Sequence, residues 1–486
     1  MRKDAGLSTD VDRMPQLSWI LFLKAFDDLE RERSLLNPFY REAIKKPYRW
    51  RDWAAEEEKG RTGEDLINFV NNDLFPNLRG LVGVDDKDQR TVIAEVFQEI
   101  YNSMRSGYLL RDIINLVNKI DFAVSDDIHT MAHLYESMLK EMRDAAGSNG
   151  EFYTPRPVIR FIVNQIKPQI GEKILDPALG TGGFLTESFE FMKTQQKRTE
   201  DREKLQYQTL FGIEKKPMPY LLGMMNLVLH GIEKPNIRRD NALRKPLTEI
   251  TEKERVDSIM TNPPFGGEEE KGIEHNFPEA TRTSETALLF LQFIMRKLKQ
   301  NGRCGMVVPN GTLFSVGVGS RIKKDLIENF NLHTIVRLPK GVFAPYTDIE
   351  TNLLFFERDG PTKTIWFYEH PLPIDRQKLK NPRYIKTKPL RYEEFKPLQK
   401  WWDHREENEF AWKIPVEKVI ENDYNLDITN PNKTKIKMHR PPDEIITDII
   451  EKEKRIFKII HEVREQIRTG WENKDKMVKD KTKGTT

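Results

Sequence analysis

The apolar positions fall into two regimes along the chain. Over residues 1 to about 140 they recur at helical spacing, at Leu17, Ile20, Leu21 and on to Leu29, then at Val92, Val96, Ile100 and Met104, and again at Ile113, Ile114 and Val117. That period puts one apolar stripe on each of several helices, and no strand-like alternation interrupts it. The small, flexible run Ala145 to Gly150 then breaks the pattern and predicts a hinge.

From about residue 150, short apolar runs alternate with amphipathic helices. The runs are Lys173 to Asp176, Leu210 to Glu214, Val256 to Met260, Gly305 to Pro309 and Thr334 to Leu338. This alternation predicts an α/β architecture, a mostly parallel sheet with helices on both faces. The run Thr351 to Glu357 follows the previous one after a link too short for a helical crossover, so it is expected to pair antiparallel. Beyond about 380 the chain turns polar and aromatic, with Trp401, Trp402 and Trp412, and strand signals fade. From Pro442 a long helix is expected: Ile446, Ile449, Ile456, Ile460, Val463 and Ile467 occupy a and d heptad positions, interrupted by Glu453. Three regions follow: a helical domain over 1–145, an α/β domain over 146–400, and a C-terminal region over 401–486 whose helix could dock a partner.

A chain of 486 residues is too long for one compact domain, and 38% hydrophobic with 32% charged residues suits an ordinary globular interior. The net charge of +3 neither demands nor excludes nucleic acid. The single cysteine, Cys304, rules out an intrachain disulfide and any multi-cysteine metal site, and no metal is expected. Cys304 precedes Met306, Val307 and Val308, which makes it a buried strand residue. The N-terminal stretch has no apolar secretory core, and nowhere do about 18 apolar residues run together. The expectation is a soluble, cytoplasmic protein with no membrane contact.

Candidate chemistry sits at two strand ends. The run Lys173 to Leu185 (KILDPALGTGGFL) ends a strand at Asp176, turns through Gly180, Thr181, Gly182 and Gly183, and enters a helix. Glycines there let the backbone approach a ligand, and the helix N-terminus offers free N–H groups. A nicotinamide cofactor would prefer GxGxxG, whose last glycine is here Leu185. Glu214, at the tip of the next strand, has the character to accept from two ribose hydroxyls. Alone, the glycine turn also fits a tight strand-to-helix connection with no ligand.

TNPPFG, Thr261 to Gly266, directly follows the strand Val256 to Met260. Pro263 and Pro264 have fixed φ and donate no N–H, so this loop is stiff and its carbonyls are free. The Asn262 amide oxygen and the Pro263 carbonyl can both accept from one NH₂ group, while Phe265 supplies a flat face for a base, worth about 1–3 kcal/mol. An amine held this way is oriented for in-line attack on a sulfonium methyl, with positioning and electrostatics doing most of the work and no strong base needed. The bland alternative is a proline turn in which Asn262 caps a neighbour.

At these residues the chain resembles the amino-methyltransferases, which combine a glycine-rich cofactor motif with an (N/D/S)PP(Y/F) catalytic motif. The order of the two motifs matches a group of adenine-N6 enzymes. NPPF also occurs in ribosomal RNA amine methyltransferases and NPPY in release-factor glutamine methyltransferases, so the tetrapeptide gives reaction type and not substrate. Gly150 to Val163 (GEFYTPRPVIRFIV) narrows it, because it is similar to the segment that opens the catalytic domain of type I modification subunits. The likeness continues through Glu214, Met225 to Ile232, Asp240 to Leu243, NPPFG, GRCGMVVPNGTLF and LPKGVFAPYTDIETNLLFF.

That resemblance implies a Rossmann-like methyltransferase domain, mostly parallel with one antiparallel strand, between a helical N-terminal domain and a helical tail. It implies S-adenosylmethionine as cofactor and N6 of adenine in double-stranded DNA as target. Glu151, Phe152, Tyr153, Thr154, Pro155 and Arg156 would contribute to the cofactor site with Asp176 and Gly180. Thr181, Gly182 and Gly183 would take the methionine end, Glu214 the ribose, and Asp240 or Asn241 the adenine. Asn262, Pro263, Pro264 and Phe265 would hold the target base. The loop Gly266 to Glu285 reads either as a lid over an extruded base or as a disordered surface loop. No GxxxxGK[ST] occurs and no length remains for target-recognition domains, so a specificity subunit, with two chains of this kind on it, and a restriction subunit are the implied partners. The complex would protect host DNA from cleavage. Lys45, Lys46, Arg49 and Arg51 are candidate phosphate contacts, although such a run is often a solvated face. The competing function is a stand-alone RNA or protein amine methyltransferase.

Overall fold

The computed structural model describes residues 1–57, 59–84, 88–122, 125–146, 153–377, 380–432 and 450–461, with residue 464. Met1–Asn432 forms one compact unit and Lys433–Thr486 a second. In the second unit residues 450–461 are helical, with Ile456 and Ile460 exposed. Ile446, Ile449, Val463 and Ile467 lie outside the described residues, as does most of the expected hinge, 147–150.

The first unit is built on a nine-stranded sheet in the order β3-β2-β1-β4-β5-β7-β6-β8-β9. The strands are β1 (Ile174–Asp176), β2 (Leu210–Glu214), β3 (Asn236–Arg239), β4 (Val256–Thr261), β5 (Leu298–Pro309), β6 (Asn331–Arg337), β7 (Thr351–Glu357), β8 (Thr364–Glu369) and β9 (Ala411–Pro415). Strands β1 to β5 pair in parallel, and β7 runs antiparallel between β5 and β6. β8 continues parallel on β6, and β9 closes that edge antiparallel. The sequence pattern missed three of these strands for a common reason. β3 is NIRR with a single buried side chain, and β8 and β9 are short and mixed in polarity at the far edge. β9 lies beyond residue 400, where the strand signal had faded, yet its Trp412 stacks on Phe367 of β8 at 5.2 Å in the core.

Helix α1 (Asp10–Leu36) starts at a reciprocal cap: the Thr9 hydroxyl accepts from the Asp12 N–H, and the Asp12 carboxylate accepts from the Thr9 N–H. With α2 (Ser125–Ala146) it packs against α5 (Pro217–Leu229), a helix whose apolar residues are buried almost all round. Ser18 of α1 hydrogen-bonds the Tyr135 hydroxyl of α2 at 2.8 Å, and that hydroxyl reaches the Leu222 carbonyl of α5. Trp19, Ile20, Phe75, Leu139 and Leu222 belong to one continuous core. Helices α3 (Arg156–Ile166) and α4 (Gly183–Lys193) pack on one another beside the sheet; α6 (Thr286–Lys297) and α7 (Val318–Asn329) also pair. Among the described residues no helix is long and apolar enough to cross a membrane.

Candidate active site

Strand order reverses between β1 and β4, and the loops leaving their carboxyl ends part there, the place where open α/β sheets bind ligands. A cavity of about 230 Å³ opens at this point. Thr154, Asp176, Gly180, Thr181, Gly183, Glu214, Asp240, Asn241, Asn262 and Pro264 all line it.

The glycine turn follows β1. Gly180 and Gly182 take φ of +55° and +76°, values that L side chains rarely adopt, and α4 begins at Gly183. Glu214 staples this turn to the end of β2: one carboxylate oxygen accepts from the Gly180 N–H at 2.8 Å and the other from the Lys216 N–H at 2.8 Å. Burial pushes the Glu214 carboxyl up against the pull of those donors. Asp176 accepts from the Thr261 hydroxyl at 2.7 Å and the Ala178 N–H at 3.2 Å through one oxygen. Its second oxygen is buried with no partner, and burial pushes this carboxyl up to about 7.

Asn262 stands immediately after β4. Its Nδ2 donates to the Thr154 hydroxyl at 2.9 Å, and its Oδ1 is buried with no hydrogen-bond partner. Pro263 is buried and Pro264 exposed. Phe265 is only 7% exposed, packed edge-on against Phe343 at a ring separation of 4.9 Å and tilted against Tyr346 at 6.0 Å.

Among the described residues of the segment Glu151 to Arg156, Thr154 alone reaches the cavity wall. Glu151 and Phe152 lie outside the described residues. Tyr153 is buried, Pro155 caps α3, and Arg156 turns away to donate to the Gly183 carbonyl at 2.9 Å and the Thr186 hydroxyl at 3.0 Å. Arg156 also pairs with Glu136 of α2, and burial lowers its guanidinium to about 10. Gly182 supplies backbone to the turn.

At the other end of the cavity the Asp240 carboxylate pairs with Arg244 at 3.0 Å and accepts from the Asn241 N–H at 2.8 Å. The Asn241 amide is nearly buried, accepting from the Leu243 N–H and donating to Glu269 at 3.3 Å. Glu269 comes from the loop after the NPPF segment, and it also pairs with Lys215 at 3.1 Å. That loop holds a definite course, bridging Glu268 to Glu285 and forming short turns at Ile273–Asn276 and Glu279–Thr281. Of the four candidate phosphate contacts, Arg49 is paired with Glu42 at 2.8 Å and Asp52 at 2.7 Å, and Arg51 with Glu42; Lys45 and Lys46 are exposed.

One supporting residue escaped the sequence reading. Asn226, fully buried in the middle of α5, donates to the Thr181 carbonyl at 2.8 Å and so holds the glycine turn from behind. The signal was a lone asparagine in an otherwise apolar helix, PMPYLLGMMNLVL.

A glycine turn after β1, a carboxylate ending β2 and NPPF after β4, on a sheet whose one inner strand runs antiparallel, define a Rossmann-like amino-methyltransferase. The sequence profile described as N-6 DNA Methylase matches residues 126–439. The type I restriction enzyme EcoEI methylase subunit of Escherichia coli is 49% identical over 475 residues, 96% of this chain and 95% of that protein. Among solved structures, a modification subunit assigned to a type I restriction enzyme of Vibrio vulnificus YJ016 superposes with a TM-score of 0.79 at 54% identity, covering 90% of this chain and 96% of that one. A chain from a type I R-M system gives 0.82 at 41% identity over 96% of each. The chain belongs to the N-6 DNA methylase family, and within it to the methylase subunits of type I restriction enzymes, adenine-specific DNA methyltransferases.

Proposed function

We propose that the chain methylates N6 of adenine in double-stranded DNA from S-adenosylmethionine, as the modification subunit of a complex with specificity and restriction subunits. The observation that carries the reading is Asn262, which lines the cavity: its NH₂ is tied to Thr154 while its oxygen is buried with no hydrogen-bond partner. A buried acceptor without a donor is costly unless a ligand supplies one, and an exocyclic amine does.

The residues present fit the cofactor. Glu214 would take the ribose hydroxyls, Asp240 or Asn241 the adenine, and the Gly180 to Gly183 turn the methionine end, with the orphaned Asp176 oxygen suited to its ammonium; all of these line the cavity except Gly182. When bound, S-adenosylmethionine supplies an electrophilic sulfonium methyl. The chain's own task is positioning. Asn262 Oδ1 and the Pro263 carbonyl accept the two amine hydrogens, which directs the nitrogen lone pair out of the ring plane toward the methyl. Phe265 backs the loop from beneath through Phe343. The base must leave the duplex to reach this depth.

The named partners rest on what the relatives are, methylase subunits of type I restriction enzymes. Two such chains per specificity subunit, and a cytoplasmic location beside the chromosome, complete the reading. The test is co-expression with a specificity subunit followed by direct detection of N6-methyladenine in host DNA. The expected result is site-specific methylation that Asn262→Ala abolishes while cofactor binding persists. Methylated ribosomal RNA or release factor with unmodified DNA would reject it.

A further inference from the structure

β5 pairs in parallel with β4, with Met306 beside Thr261, so the chain leaving β5 at Pro309 emerges at the same edge as Asn262. At a rise of ~3.3 Å per residue it does so about 10 Å further out. The helical turn Asn310–Phe314 and the link into α7 then carry two large apolar side chains into solvent, Phe314 at 50% and Val316 at 77% exposure. Ile349 is also exposed, and the carbonyl of the next residue, Glu350, accepts from the Asn310 N–H at the start of the same turn at 2.8 Å.

The backbone under these side chains is fixed. Lys323 of α7 is completely buried, and its ammonium donates to the Leu313 carbonyl at 2.7 Å and the Ser315 carbonyl at 2.8 Å, one on each side of Phe314. The Leu313 carbonyl also accepts from the Leu426 N–H, and the Ser315 hydroxyl donates to the Thr312 carbonyl at 3.0 Å. Gly319 admits this close approach, because a Cβ there would lie 2.1 Å from the Ser315 hydroxyl. Desolvating an ammonium is expensive, and burial lowers this one to about 8. A phenyl ring on a loose tip would be unremarked surface. Here a buried cation grips the carbonyls on both sides of a ring that packs only half of itself against the protein.

We propose that Phe314, with Val316 beside it, inserts into the DNA at the extruded adenine and occupies the space the base vacates. The inference rests on the function proposed above. Extrusion forfeits the stacking on both neighbours of the target, and an apolar wedge held at a fixed height beside the receiving pocket restores part of it. Insertion demands rigidity, which the Lys323 clamp provides, and a flat ring, since every base offers a π-face. A protein subunit covering the same patch is the competing occupant.

The test uses the full chain in complex with its specificity subunit, on duplexes with 2-aminopurine or adenine at the target. Phe314→Ala is expected to slow single-turnover methylation by about tenfold and to reduce the 2-aminopurine signal of extrusion, with cofactor binding and subunit association unchanged. Phe314→Trp should retain activity. Placing the target adenine opposite an abasic site lowers the expense of extrusion and should restore most of the Phe314→Ala rate. Unchanged activity on paired DNA, or a defect that persists opposite the abasic site, would overturn the wedge. Loss of the specificity subunit on substitution would assign the patch to that partner instead. An inactive unsubstituted complex would overturn the proposed function and the wedge with it.

Discussion

Asn262 and Thr154 stand 108 positions apart in sequence and share a 2.9 Å hydrogen bond, the amide nitrogen of the first donating to the hydroxyl of the second. The pairing occupies the amide nitrogen and leaves the buried amide oxygen without a partner, the polarity the proposed amine would need. Thr154→Val keeps the shape and removes the acceptor, so the amide is free to rotate. The turnover of bound substrate should fall about tenfold, equivalent to ~1.4 kcal/mol of transition-state stabilisation, with Thr154→Ser restoring it. Single-turnover methylation at saturating cofactor measures this, and an unaltered rate in the valine variant would dismiss the pairing.

Asp176 sets a pH dependence. Its carboxyl is held up at about 7 by burial, well above an unfolded aspartate near ~3.9. Between those values the folded protein carries more protons than the unfolded one, so the contribution of Asp176 to stability is present at low pH and is lost as pH rises toward 7. A cationic ligand group beside the orphaned oxygen favours the ionised form, so cofactor affinity should climb over the same window with release of a proton. Calorimetric titrations in two buffers of different ionisation enthalpy report that proton. An affinity that stays level from about pH 5 to 8 would contradict the assignment. Asp176→Asn should remove the slope.

Asn226 is expected to tune the cofactor site from a distance. Asn226→Leu keeps the apolar surroundings but deprives the Thr181 carbonyl of its donor. A net hydrogen bond of about 1 kcal/mol corresponds to roughly fivefold weaker cofactor binding. Isothermal titration should find this shift with DNA binding little affected; equal affinities would show that the turn holds its shape unaided.

The contact between Glu136 and Arg156 ties α2 to the first residue of α4 through the Gly183 carbonyl. Glu136→Gln removes the carboxylate in contact with a largely buried guanidinium and leaves it the more distant charge of Glu187. The expected loss is about 2 kcal/mol in urea unfolding, less than for a fully desolvated pair because both side chains are about a fifth exposed, at 22% each. A midpoint identical to that of the parent protein would mean that Gly183 and Thr186 suffice for Arg156.

The parts of this molecule readable from sequence are those whose physics is local. A glycine turn after an apolar run and an asparagine before two prolines each act within a few residues, so their elements and strand ends could be placed directly. What could not be read are links across the chain: Glu214 holding Gly180 from 34 positions away, and Thr154 holding Asn262. Arg156 shows why adjacency misleads. It sits two residues from Thr154 in a proline-bounded stretch that reads as one unit, yet the start of α3 turns the two side chains in different directions. β3 and β9 went unseen because an edge strand needs little apolar signal, its stability coming from one neighbour and one covered face.

Because Trp19 and Ile20 share their hydrocarbon interior with Leu222, a cut between the opening helices and the sheet would leave apolar surface bare on both pieces. A fragment beginning near residue 150 would bare the side of α5 that α1 and α2 cover, and should aggregate instead of folding autonomously. The opening third of the polypeptide thus lends the later part a share of its interior, and an exchange between relatives is expected to succeed only when both travel as a single piece.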